Sequence, residues 1–206
     1  MQYKDHWEQV YTTKTTSGVS WFQEHARQSV QLIEQAGVAR DAGIIDVGGG
    51  ASTLVDDLLD EGYTKVTVLD LSKAALAASQ SRLGQRADDV SWLVGDITRL
   101  KLPRHAYHVW HDRAVFHFLT LPQEREAYVQ AVLRAVKPGG HVIVATFAED
   151  GPEKCSGLPV MRYSADGLHA EFGALFTLLQ QEREEHHTPF GTVHKFIYCL
   201  CRKASN

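Results

Sequence analysis

The stretch Gly43-Ile44-Ile45-Asp46-Val47-Gly48-Gly49-Gly50-Ala51-Ser52 constrains the chain more than any other. An apolar run ends in an acid, three consecutive glycines follow, and Ser52-Thr53-Leu54-Val55 opens a helical pattern. This predicts a strand, a tight turn and a helix. Glycines let the backbone bend sharply and let a bulky ligand come close. The helix then directs its positive N-terminal end into the turn. A dinucleotide site wants G-x-G-x-x-G with a pyrophosphate on the helix end. Here Thr53 holds the third glycine position, and Asp46 places a carboxylate at the strand tip. A carboxylate repels a pyrophosphate and suits a ligand with a cationic amino group. Ser52 is positioned to cap the helix through its hydroxyl.

Acids recur at the ends of later apolar runs. Lys65 to Asp70 reads as a second strand, and Asp70 lies 20 residues past Gly50. An acid there can accept hydrogen bonds from both hydroxyls of a ribose. Leu71-Ser72 then opens an alanine-rich helix, Lys73 to Leu83. Val90 to Ile97 reads as a third strand, with Gly95 and the turn acid Asp96 near its end. In Tyr107 to Leu119, Val109 and Trp110 read as buried. His111, Asp112, Arg113 and His117 fall at or beyond the strand's carboxyl end. In open parallel sheets that end faces the ligand. Glu124 to Val136 has an amphipathic helical pattern, stopped by Lys137-Pro138-Gly139-Gly140. His141 to Phe147 is a fifth strand.

The flanks are less regular. Residues 1 to 25 are aromatic and polar, with Trp7, Tyr11 and Trp21 prominent. They read as a lid whose aromatics pack on the domain, and equally as a flap that stacks on a cationic group. Residues 26 to 36 are helical. Residues 148 to 163 form a loop long enough to be a substrate-side lid. Ser164 to Phe172 reads as a capped helix. Leu175 to Leu179 and Val193 to Cys201 read as an antiparallel pair, joined by a solvated connection from Glu182 to Thr192. On a strand, the adjacent His186 and His187 point to opposite faces.

Composition narrows the class. The 206 residues are 44% hydrophobic and 22% charged, with formal net charge -4 and no strongly basic run. That argues against a nucleic-acid binder and is enough to bury a substantial core. No apolar segment is long enough to span a membrane, and Met1 to His6 is too polar for a secretory signal. Cys155, Cys199 and Cys201 give an odd count without a CxxC pair, which suits a reducing cytoplasm. Cys199 and Cys201 face one side of a strand and read as core residues.

The landmarks in order are the Asp46 glycine turn, Asp70, Gly95-Asp96, the Asp112 segment and Lys137-Pro-Gly-Gly. Together they resemble the class I S-adenosylmethionine (SAM)-dependent methyltransferases. The glycine turn matches that family's E/D-x-G-x-G-x-G pattern, with Ser52 in place of the last glycine. Trp7-x-x-x-Tyr11 followed by Ser20-Trp21-Phe22 is similar to the opening of the thiopurine S-methyltransferase and elongation-factor lysine methyltransferase groups. The resemblance implies one α/β domain over residues 1–206. It would be a three-layer Rossmann-like sandwich whose seven-stranded, mostly parallel sheet has order 3-2-1-4-5-7-6.

The resemblance also implies SAM as cofactor and S-adenosylhomocysteine as product. Asp46 would sit near the methionine end, with Gly48, Gly49 and Gly50 against the methionine and ribose portion. Asp70 and Leu71 would serve the ribose, and Gly95, Asp96 and Ile97 the adenine. Trp7, Tyr11, Trp21 and His111 would lie at the cofactor mouth. His111 or His117 is a candidate general base, since histidine titrates near neutral pH. Arg113 is a candidate anchor for an acceptor carboxylate. An Asp112–Arg113 ion pair with a packed His117 is the structural alternative. The segment Asp112-Arg113-Ala114-Val115 stands where amide- and base-directed N-methyltransferases carry Asn/Asp-Pro-Pro-Tyr/Phe.

The expected acceptor is a small molecule bearing a thiol, hydroxyl or amine, with a protein lysine as the alternative. No nucleic-acid or membrane partner is expected, and the chain reads as a monomer or dimer. A non-catalytic SAM- or nucleoside-binding domain is the competitor from another class. An NAD-dependent oxidoreductase would want G-x-G-x-x-G and a Tyr-x-x-x-Lys, and neither is present.

Overall fold

A computed structural model describes residues 2–205. Helix α1 (Gln2–Thr13) and a short 3-10 turn (Thr16–Gly18) precede α2 (Arg27–Gln35). Strand and helix then alternate: β1 (Ile44–Val47), α3 (Leu54–Asp60), β2 (Val66–Asp70), α4 (Lys73–Leu83), β3 (Val90–Val94) and β4 (Tyr107–Arg113). Next come α5 (Pro122–Ala135), β5 (Val136–Phe147), a two-residue hairpin β6 (Lys154–Cys155) and β7 (Leu158–Pro159), then α6 (Ala165–Phe172). The long strands β8 (Phe176–His187) and β9 (Val193–Lys203) close the described chain.

The seven-stranded sheet has the order β3-β2-β1-β4-β5-β9-β8. Counting only the strands of this sheet, that is 3-2-1-4-5-7-6, as the resemblance implied. The pairs from β3 to β5 are parallel, while β9 pairs antiparallel with both β5 and β8. Strands β1 and β2 are buried at every residue, as befits strands covered on both faces. Two apolar clusters separate around the sheet. One gathers Trp110, Phe116, Tyr128 and Phe172, and the other Leu32, Ile33, Val109 and Phe147.

Local signals set the helix boundaries. The Ser72 hydroxyl accepts from the Ala75 N–H at 3.1 Å, and the Ser164 hydroxyl from the Gly167 N–H at 3.1 Å. Each satisfies one orphan donor of a first turn. Pro122 opens α5, where its missing N–H costs nothing.

Three features differ from the sequence expectation. Helix α5 ends at Ala135, and β5 begins at Val136 rather than His141. Tyr107 pairs with Val136 and Val109 with His141, so Lys137 to Gly140 bulges from the strand, with Gly139 at φ +71°. Residues 148 to 163 contain the β6–β7 hairpin rather than an unstructured loop. Strand β8 runs on to His187, so Glu182 to His187 is strand and not connection. The charges hid it: an edge strand has one half-covered face and tolerates alternating Glu and Arg. His186 is buried and His187 exposed, as alternation requires.

Among the described residues, no helix is long and apolar enough to cross a membrane.

On the α5 side of β4, the Trp110 Nε1–H donates to the Tyr128 hydroxyl at 2.8 Å, which donates to Asp112 at 2.5 Å. All three side chains are buried. Tyr128→Phe therefore strands the buried Trp110 N–H and takes one donor from the buried Asp112 carboxylate, which keeps those of the turn after β4. We expect a loss of about 2–3 kcal/mol, seen as a fall of about 5–10 °C in the thermal midpoint. An unchanged midpoint would show that water replaces the hydroxyl.

Candidate active site

The turn after β1 leaves no room for side chains. Gly48 has φ +72° and Gly50 φ +24°. A Cβ on Gly48 would lie 2.0 Å from the Val115 side chain. On Gly49 it would lie 2.3 Å from Asp46 Oδ2, and on Gly50 2.5 Å from Asp70 Oδ2. The three glycines thus bring two carboxylates onto bare backbone. The Ser52 hydroxyl accepts from the Leu54 N–H at 3.1 Å, but the N-cap position is Thr53, so Ser52 supports the helix entry without being its cap.

Beside this turn is a cavity of about 580 Å³, its solvent mouth included. Its wall includes Tyr11, Trp21, Ser29, Asp46, His111 and Arg113. Residues between Tyr11 and Gln23 cover it. Trp7 packs edge-on against Trp21 at 5.5 Å and against Phe118 at 5.2 Å, and the Trp21 N–H donates to the Tyr11 hydroxyl at 3.1 Å. The cover is tied down at three points. His6 meets the Ser156 hydroxyl at 3.1 Å, the Gln23 amide donates to Glu184 at 2.7 Å, and His186 donates to the Ser20 carbonyl at 2.8 Å.

Strand alternation divides the four polar residues of the β4 segment. His111 and Arg113 line the cavity. His111 Nδ1 lies 2.7 Å from Asp46 Oδ1, and its Nε2 lies 2.9 Å from the Ser29 hydroxyl. The Arg113 guanidinium donates to the Tyr198 hydroxyl at 2.8 Å and to Glu184 at 3.0 Å, and lies 4.1 Å from the Phe196 ring centroid. Asp112 points the other way. Besides Tyr128, it accepts from the N–H groups of Val115 at 2.8 Å and Phe116 at 3.1 Å. Burial pushes its carboxyl up to about 6. Of the structural alternative, the Asp112–Arg113 pair does not form, because the two side chains leave β4 on opposite faces and Arg113 pairs with Glu184, while the packing of His117 does occur. His117 is fully buried and accepts from the Phe147 N–H at 3.4 Å, and its Nε2 has no partner among the described residues. Burial, and the charge of Arg113 after it, drive its pKa down to about 3.

The other candidates lie around the rim. Asp70 Oδ1 accepts from the Ser72 N–H at 2.8 Å, and Leu71 is partly buried beside it. Burial raises the Asp70 carboxyl to about 7, with the neighbouring charges of Asp46 and Glu8 adding to the rise. Glu8 of α1 accepts from the Ser72 hydroxyl at 2.8 Å, so α1 sits over this end of the site. The Gly95 N–H donates to the Asp70 carbonyl at 3.0 Å. Asp96 is partly exposed and accepts from the Thr98 N–H at 2.9 Å, while Ile97 is buried. Neither Asp70 nor Asp96 lies on the enclosed cavity itself. Cys155, Cys199 and Cys201 are buried and form no disulfide among the described residues.

Sequence reasoning missed Ser29, Glu8 and Glu184. Ser29 had a signal: it is a polar residue three and four positions before the buried Leu32 and Ile33, on the apolar face of α2. Glu8 and Glu184 sit on exposed-looking charged stretches and gave none.

A ligand with a cationic amine and a vicinal diol fits the carboxylates of Asp46 and Asp70, set against glycine backbone that a Cβ would fill. The fold and comparisons with known proteins say which ligand. Residues 44–140 match a family described as a methyltransferase domain. The matched stretch and the sheet order are those of the class I SAM-dependent methyltransferases. The methyltransferase is 22% identical over 157 residues to the human EEF1A lysine methyltransferase 2, covering 69% of this chain and 66% of that one. It is 30% identical over 136 residues to a 2-heptyl-1-hydroxyquinolin-4(1H)-one methyltransferase of Mycobacteroides abscessus, covering 62% of this chain and 58% of that one. It thus spans about two thirds or less of these relatives' lengths. Its fold is shared with the solved 1,6-didemethyltoxoflavin-N1-methyltransferase of Burkholderia thailandensis, which has 1,6-didemethyltoxoflavin and S-adenosylhomocysteine bound. The TM-score is 0.68 at 19% identity, over 98% of this chain and 84% of that one.

The raised pKa of Asp70 has a consequence for the ligand-free methyltransferase. Its folded value of about 7 lies above the ordinary 3.8. Its contribution to stability is then full below about pH 4 and is lost as the pH rises through about 7. Asp70→Asn removes that dependence. Its thermal midpoint should gain on wild type by a few degrees between about pH 4 and 7, then run parallel above about pH 8. Parallel curves across the whole range would show that Asp70 is solvated under α1.

Proposed function

We propose that this methyltransferase methylates a small-molecule acceptor, and that the acceptor brings its own nucleophile. The observation that carries the first half is the cover. The cavity lies under α1, Trp21 and Phe22, and His6 ties α1 to Ser156 of the β6–β7 connection. A site covered in this way accommodates a small molecule more readily than a protein surface.

The second half rests on the histidines. His111 has both ring nitrogens engaged, and His117 is buried and held neutral. Neither is free to accept an acceptor's proton. A thiolate, or a hydroxyl acidic enough to ionise in water, needs no such base. SAM supplies a methyl group on a sulfonium, transferred by in-line displacement. The protein's part is to hold the two reactants in line and exclude water. In this reading Asp46 faces the methionine amine, with Gly48, Gly49 and Gly50 against the chain between amine and ribose. Asp70 and Leu71 serve the ribose hydroxyls, and Gly95, Asp96 and Ile97 the adenine. Trp7, Tyr11 and Trp21 form the closing wall. Arg113, held by Glu184 and Tyr198, offers its remaining N–H groups to an anionic acceptor. Asp112 shapes the turn at 115–116. Unpaired, buried cysteines suit a reducing compartment, which favours the cytoplasm.

A second reading, a protein lysine acceptor, draws on one observation. A shallow groove adjoins the cavity at Phe22 and Gln23, and Glu24, Glu184 and Glu185 lie along it. The two readings separate in one assay. Transfer of labelled methyl from SAM is measured to aromatic thiols, hydroxyquinolines and purified eEF1A. We expect label on the thiols first, rising with the thiolate fraction between about pH 6 and 8. Label on eEF1A alone would overturn the small-molecule reading.

A further inference from the structure

The buried chain Ser29–His111–Asp46 goes beyond any contact with an acceptor. Its members come from α2, β4 and β1, and each is at most 3% exposed. Asp46 and His111 are register neighbours on adjacent parallel strands. His111 Nδ1 meets Asp46 Oδ1, and its Nε2 meets the Ser29 hydroxyl, for which no other partner is present among the described residues. The two contacts fix the imidazole ring and one Asp46 orientation. Asp46 Oδ1 is occupied, and Oδ2 is left facing the Gly49 backbone.

We propose that Ser29 and His111 are positioning residues. They lock the Asp46 carboxylate so that Oδ2 meets the amine of the cofactor's methionine portion, and they do not touch the reacting atoms. The inference rests on the SAM reading of the site and adds to it the device that makes Asp46 selective for an amino-acid-bearing nucleoside. Without His111, Asp46 can rotate, and its second oxygen is a buried acceptor without a donor. The same logic operates where a second hydrogen bond orients the ligand of a metal site.

The test compares two adenosine ligands that differ at the amino acid. S-Adenosylhomocysteine carries the amine, and 5′-methylthioadenosine lacks the whole amino-acid portion. Binding of both is measured calorimetrically for wild type, Ser29→Ala, His111→Leu and His111→Asn. His111→Leu should weaken S-adenosylhomocysteine about tenfold or more and leave 5′-methylthioadenosine within about threefold. Asn keeps one N–H near the place of Nδ1, so His111→Asn should recover most of the loss. Ser29→Ala should fall between wild type and His111→Leu, and it removes only one oxygen, which keeps the test open if His111→Leu fails to fold. Equal weakening of both ligands would mean that the chain merely holds the fold and would overturn the proposal. Unchanged binding of both would overturn it as well. If wild type binds 5′-methylthioadenosine no more weakly than S-adenosylhomocysteine, Asp46 does not read the amine and the proposal falls while the adenosine site stands. If wild type binds neither, the SAM reading falls and takes the proposal with it.

Discussion

The structure depends on one hydrogen bond at the carboxyl end of the sheet, between Asp46 on β1 and His111 on β4. A buried carboxylate is costly unless it is paired and hydrogen-bonded. Here the adjacent strand supplies the partner, at the same level of the sheet. That lets an acid sit beside three glycines without a side chain of its own turn to satisfy it. Gly49 and Gly50 in turn are small because the carboxylates of Asp46 and Asp70 already fill the space a Cβ would take, and Gly48 because Val115 does. In the proposed reading, ligand recognition and local packing use the same atoms, so the turn tolerates little change.

Strand periodicity explains how β4 serves two purposes. Successive side chains point to opposite faces. His111 and Arg113 therefore reach the cavity, while Trp110 and Asp112 reach α5 and Tyr128. The first pair belongs to the site. The second builds the turn after the strand, where Asp112 gathers the N–H groups of Val115 and Phe116. Val115 then abuts Gly48. The buried network behind the sheet thus helps to shape the glycine turn in front of it.

Much of the fold was legible in sequence because it is written in local rules. The apolar runs, the Gly and Pro stops and the Ser caps gave β1 to β5 and α2 to α6 nearly in place. The acids at Asp46, Asp70 and Asp96 fell at strand ends, where a parallel sheet receives its ligand. The division of labour within residues 111 to 117 was not legible. Four ionisable groups side by side looked like one cluster, and only alternation along β4 and the turn after it separates them. The edge strand β8 was hidden by its charges, and Glu184, which pairs with Arg113, was hidden with it. Glu8 lies 64 residues from Ser72, a contact that no local pattern announces.

The central claim is that the Asp46 glycine turn and Asp70 bind SAM. Isothermal titration of wild type and Asp70→Ala with SAM, S-adenosylhomocysteine and NAD tests it most directly. The account predicts roughly micromolar binding of the first two to wild type. It also predicts that Asp70→Ala abolishes that binding. Binding of NAD in place of either would contradict it and leave the sheet order as the whole of the likeness to methyltransferases.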